Sequence, residues 1–198
     1  MVGKIFIISA PSGAGKSTLV AATLVNLEKE WPIERVVTYT SKNPRNNEVP
    51  GQDYHFIKVD EFERRIKQGF FLEWSNAYGT YYGSPRSIVN QVANGYSYIG
   101  IIDRVGASKI KAQFPQAVLV WIEAPSLQEL SRRLVSRGTE TDEQIAKRLA
   151  RAKIEIDLEM ADPIYDHLLV NDQFVKAQKE LEDLIVGYLE KIAKKSKN

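Results

Sequence analysis

The chain has no cysteine among its 198 residues, which removes disulfide frameworks, thiolate metal centres and cysteine nucleophiles together. Its two histidines are too few for an imidazole metal cage. Long apolar runs are missing too: those at 5–8 and 117–122 fall far short of the ~20 residues that cross a bilayer, and no signal-peptide pattern opens the chain. The expectation is a soluble cytoplasmic protein with no membrane partner. Lys and Arg number 27 against 25 Asp and Glu, a net charge of +2 that speaks against nucleic acid as a partner. The basic residues near the C-terminus, Lys191, Lys194, Lys195 and Lys197, read as a solvated helix end. With 43% hydrophobic and 26% charged residues, an ordinary globular chain with one cored domain fits best.

Apolar runs of strand length alternate with segments of helical period, the pattern of α/β folds built on a parallel sheet. Strands are expected at 4–9, 35–40, 70–74, 98–102, 117–122 and 167–170. A helix at 16–30 carries Leu19, Val20, Leu24 and Leu27 on one side. Asp60 is expected to cap a short helix closed by Gly69, and Ser84-Pro85 to start one running to about Gly95. Capping boxes at 126–129 and 141–144 mark two more helix starts, and an amphipathic helix spans 174–192. The section at about 37–91 breaks the alternation and reads as an insert in a core of about 1–36 and 92–198. The arginine-bearing break at 137–139 marks a lid at about 126–158.

Residues 10–18 fit G-x-x-x-x-G-K-[ST], except that Ala10 stands at the first glycine. The segment leaves a buried strand and opens a helix, so the backbone of Ser12, Gly13, Ala14 and Gly15, with the helix end at Lys16, Ser17 and Thr18, would converge on a phosphate chain. Gly13 and Gly15 would let the backbone turn with positive φ and approach the oxygens closely. Lys16 then supplies a point charge to the β- and γ-phosphates, and Ser17 a hydroxyl ligand for Mg²⁺. A phosphate loop does not by itself name an acceptor. On the loop at 41–53 and just after it, Lys42, Arg45, Glu48, Gly51 and Tyr54 gather cations, a phenol and flexible backbone in a stretch that suits a phosphate monoester.

Over nearly its whole length the chain resembles the guanylate kinases. The matching segments, in order, are 9–18, TSKNPR at 40–45, EVPGQDYHF at 48–56, FLEW at 71–74, GTYYGS at 79–84, RGTET at 137–141, KRL at 147–149 and VND at 170–172. The resemblance implies a P-loop core with an inserted GMP-binding section and a helical lid. It also implies transfer of the γ-phosphoryl group of ATP to GMP, or dGMP, with Mg²⁺, by a monomer or homodimer. Carried over, Lys42, Arg45, Tyr54 and Tyr82 hold the GMP phosphate, while Thr38, Glu73, Ser84 and Asp103 read guanine. Lys16, Arg45, Arg137 and Arg148 serve the transfer, and Asn171 contacts the adenine side. Arg132 and Arg151 read as solvated helix residues, and Arg133 either as another or as a member of the lid's arginine cluster.

Three positions depart from the family. Lys42 stands where an arginine is usual, Ile101 where an acidic residue precedes Ile-Asp, and Arg104-Val105 where a glutamine commonly precedes the glycine. Two alternatives therefore stay open: a binding module of this fold without turnover, and a P-loop kinase with another acceptor.

Overall fold

The computed structural model describes residues 2–11, 13–45, 48–77, 79–136, 138 and 141–195. A five-stranded parallel sheet forms the centre: β1 (Ile5–Ser9), β2 (Ile33–Arg35), β7 (Ser97–Ile101), β8 (Val118–Glu123) and β9 (His167–Val170), in the order β2-β7-β1-β8-β9. Between β2 and β7 the chain builds a second sheet from β3 (Tyr39–Thr40), β4 (His55–Phe56), β5 (Phe71–Ala77) and β6 (Thr80–Pro85), in the order β4-β3-β6-β5. The helices are α1 (Lys16–Leu27), α2 (Val59–Lys67), α3 (Ile88–Ala93), α4 (Arg104–Gln113), α5 (Leu127–Ser136), α6 (Asp142–Ala161) and α7 (Phe174–Lys195).

Successive strand residues point to opposite faces, so the central strands feed two cores at once. Phe6 and Ile8 of β1, with Val118, Val120 and Ile122 of β8, pack against Leu19, Val20 and Leu24 of α1 and Leu181, Ile185 and Leu189 of α7. Ile5, Ile7 and Leu119 face the other way, onto Ile88 and Val92 of α3 and Ala107 and Ile110 of α4. Both layers are apolar, which is why these strands read as continuous hydrophobic runs. β1 lies between β7 and β8, so the loop leaving its C-terminal end opens into the crevice where an α/β sheet usually binds its ligand.

The expected run at 35–40 divides between the two sheets: β2 ends at Arg35 and β3 begins at Tyr39. Ser84-Pro85 does not start a helix but ends β6, because Glu73 is Ser84's cross-strand neighbour and takes both its N–H and its hydroxyl. Asp60 lies in the first turn of α2, whose N-cap is Lys58 with no side-chain cap. Thr141 and Gln144 do form the expected capping box at the head of α6. Among the described residues no helix is long and apolar enough to cross a membrane.

Leu119 is wholly buried in the middle of the parallel sheet. Leu119→Ala should cost about 2–5 kcal/mol in denaturant unfolding, and Val175→Ala, at an exposed position of α7, no more than about 0.5 kcal/mol.

Candidate active site

The turn from β1 to α1 passes through Gly13 at φ 98° and Gly15 at φ 85°, in the left-handed region that costs any other side chain strain. A Cβ on Gly15 would also stand 2.6 Å from Asn171 Nδ2. Asn171 is buried behind the loop, where Nδ2 donates to the Ala14 carbonyl at 2.8 Å. Its backbone N–H donates to Glu123 O at 2.7 Å, and its carbonyl accepts from Arg133 at 2.9 Å. The loop is thus braced from the end of β9, and the first turn of α1, whose N–H groups have no intrahelical acceptor, lines the crevice at Lys16, Ser17 and Thr18. Burial lowers the pKa of the Lys16 ammonium, and the carboxylates of Glu155 and Asp103 act in the opposite direction.

The facing wall comes from the second sheet and the head of α4. Ser84 donates to Glu73 Oε1 from its hydroxyl at 2.7 Å and its N–H at 3.1 Å. Burial pushes the Glu73 carboxyl up to about 7; the Ser84 hydrogen bonds pull it down, and the charge of Asp103 raises it further. Asp103 is the N-cap of α4, accepting from Gly106 N at 2.8 Å and from the Ser75 hydroxyl at 2.7 Å. Gly106 is required for this approach, since a Cβ there would lie 2.6 Å from Glu73 Oε2.

On the loop side, Lys42 Nζ lies 2.5 Å from Glu48 Oε1 and 4.4 Å from the centroid of the Tyr54 ring. Glu48 Oε2 accepts from Arg45 N at 2.9 Å. Burial would raise the Glu48 carboxyl, but Lys42 and the Arg45 N–H hold it below its usual range. Tyr54 and Tyr82 meet edge to face with centroids 6.1 Å apart, and burial raises the pKa of both phenols.

One cleft of about 1040 Å³ joins these walls. Gly13, Gly15, Lys16, Ser17, Thr18, Thr38, Lys42, Arg45, Tyr54, Glu73, Tyr82, Asp103 and Arg148 all line it. Ala14 and Asn171 are buried behind the loop, and Ser84 is buried under Glu73. Ser12 and Arg137 lie outside the described residues. The cleft also takes in Arg35, Ser75, Arg104, Arg151 and Glu155, which sequence reasoning missed or read differently. Ser75 follows Glu73 by two residues on one strand face, a periodicity that could have found it. Arg151, expected to be solvated, borders the cleft with Nε 2.8 Å from Glu155 Oε1. Arg104 turns its guanidinium to the end of α6, pairing with Glu159 and lying 3.0 Å from Asp162 Oδ2.

The family model described as guanylate kinase matches residues 2–188. The chain belongs to the guanylate kinase family. It is 42% identical over 187 residues to the guanylate kinase of Symbiobacterium thermophilum, covering 93% of this chain and 85% of that one. Against the guanylate kinase of Dechloromonas aromatica the identity is 39% over 186 residues, covering 93% and 89%. The crystal structure of guanylate kinase from Anaplasma phagocytophilum superposes with a TM-score of 0.77 at 28% identity, covering 95% of this chain and 87% of that chain. The phosphate loop and the carboxylate-bearing wall therefore face each other in a guanylate kinase fold.

Gly15→Ala should lose about 1–3 kcal/mol of stability, from left-handed strain and the contact with Asn171, and should abolish nucleoside triphosphate binding. Thermal melts with and without the nucleotide check both effects.

Proposed function

We propose that the chain transfers the γ-phosphoryl group of ATP to GMP, and to dGMP, giving ADP and the corresponding diphosphate. What supports this reading most is that a glycine-shaped phosphate loop and a buried, hydroxyl-held carboxylate border the same cleft. An oxygen of the acceptor phosphate attacks the γ-phosphorus, and the bond to the β–γ bridging oxygen breaks, its electron pair leaving with ADP. Little covalent work falls to the protein; its task is positioning and charge neutralisation.

Lys16 and the backbone of 12–18 hold the triphosphate tail. Asn171 supports them through the loop, since its amide is committed to Ala14. Ser17, on the cleft in the first turn of α1, is the hydroxyl that fits Mg²⁺. Were Mg²⁺ bound with the triphosphate, Ser17 would hold it from the protein side, and it would prefer phosphate oxygens and water as its other ligands. Bound there, the ion neutralises charge on the β- and γ-phosphates.

Arg45, Lys42, Tyr54 and Tyr82 hold the acceptor phosphate. Glu73 and Asp103 accept from the N–H groups of guanine, with Thr38 beside them and Ser84 acting through Glu73. Adenine lacks that donor pair and would leave the buried carboxylate unpaired, an error worth orders of magnitude in rate. The helices α5 and α6 form the lid over a GMP-binding insert at about 37–91. Arg148, with Arg137, closes on the phosphates and excludes water, the competing acceptor.

An ADP-release assay with GMP, dGMP, AMP, UMP and CMP tests the assignment. Turnover confined to the guanine nucleotides is the expected result; no turnover with any of them would mean a binding module, and a different preferred base another acceptor. Lys16→Ala should cut kcat by about two orders of magnitude or more with the melting temperature unchanged.

The raised pKa of Glu73 makes guanine recognition pH-dependent. Only the carboxylate accepts both N–H groups, so affinity falls as pH drops through about 7. The charges acting on Glu73 are Asp103 and Lys109, both from α4 and its cap. Between pH 8.5 and 6.5, above the second phosphate ionisation at about 6, kcat/KM for GMP should fall about fourfold. Glu73→Gln should remove that step.

A further inference from the structure

We propose that Arg151, oriented by Glu155, is a further catalytic residue of the phosphoryl transfer, binding the phosphate oxygens where donor and acceptor meet. The inference rests on the reading of the cleft as a guanylate kinase site and names a group to which neither the sequence nor the family resemblance gave a part.

Arg148, Arg151 and Glu155 stand three and four residues apart along α6, which puts them on one helix face. All three border the cleft that also contains Lys16 and Tyr82. Other ion pairs of the same spacing on α6 supply an internal contrast. Lys147–Glu143 and Lys153–Asp157 are solvated, with side-chain exposures of 74% and 79% in the first and 62% and 56% in the second. Arg151 and Glu155 are at 37% and 23%. The first two pairs decorate the outer face of the helix; the third is turned inward.

The charge of Arg151 is felt at both ends of the reaction path. It acts on the Lys16 ammonium at the donor loop and on the Tyr82 phenol at the acceptor wall. A guanidinium bordering the cleft that both of them line can offset the charge that spreads over the transferring group. Glu155 explains why a carboxylate is tolerated in a cleft built for anions. Paired with Arg151 Nε at 2.8 Å it adds no net negative charge, and it fixes the plane of the guanidinium fork. The Glu155 charge also opposes the effect of burial on the Lys16 ammonium, so one carboxylate favours the charged state of a cation at the donor loop as well as orienting Arg151.

The test compares the full-length wild type with Arg151→Gln, Arg151→Lys and Glu155→Gln. The readouts are kcat, KM for ATP and for GMP, the melting temperature, and calorimetric binding of a bisubstrate probe in which adenosine and guanosine are joined by five phosphates. Arg151→Gln should lower kcat about 10- to 100-fold and weaken the probe about tenfold or more, with each KM within about threefold and an unchanged melting temperature. Arg151→Lys should recover part of the loss, because it keeps the charge without the fork. Should Arg151→Gln unfold the protein, Glu155→Gln carries the test: it keeps the Arg151 charge but frees its orientation, and kcat should fall about threefold to tenfold. An active wild type whose R151Q variant, or E155Q where that one unfolds, keeps kcat and probe affinity within about twofold overturns the role of Arg151 alone. A wild type that does not phosphorylate GMP overturns the reading on which that role rests.

Discussion

The site depends first on the turn between β1 and α1, where backbone rather than side chain must meet the ligand. Gly13 and Gly15 adopt a conformation that other residues reach only under strain, and the space behind Gly15 is filled by the Asn171 amide. The loop is therefore held by a strand far away in sequence. That hold joins a phosphate-sized concavity to the rigid centre of the parallel sheet, with β1 inserted between β7 and β8. Were the brace lost, the buried Ala14 carbonyl would lose its partner, at a cost comparable to the burial of any unpaired amide.

The opposite wall solves a different problem, keeping two carboxylates close. Ser84, Ser75 and the N–H of Gly106 donate to Glu73 and Asp103. Burial still leaves Glu73 easily protonated. A carboxylate so poised has most to gain from a base that brings its own donors, which on the proposed reading would turn an unfavourable burial into selectivity for guanine. The cations at the acceptor loop are arranged likewise. Lys42, expected from its position to face a phosphate, also lies against Glu48 and Tyr54, so its charge is placed before any ligand arrives.

Features set by neighbours in sequence were legible in advance. The phosphate loop, the capping box at Thr141 and the strand at His167–Val170 are all local patterns, and each stands where it was expected. Features decided by partners far along the chain were not. Ser84-Pro85 carries a sound helix-start signal, but pairing with Glu73 across the hairpin overrides it. The strand expected at 35–40 gave no sign that it would serve two sheets. In the site, Ser75 and Arg151 were missed for the same reason: an ordinary serine and an ordinary helix arginine gain a task only through what the fold sets beside them.

Arg104 replaces a residue type usual in the family, and its guanidinium fastens the head of α4 to Glu159 near the far end of α6. Glu159 also accepts the N–H groups of Ile164 and Tyr165, so that end of the helix is pinned on two sides. At about 1.5 Å per residue, Arg148 lies roughly 16 Å from this anchorage. Held at that end, the helix would act as a lever on the head of α4: a tilt of about ten degrees there would carry its backbone at Arg148 through about 3 Å, the length of one hydrogen bond.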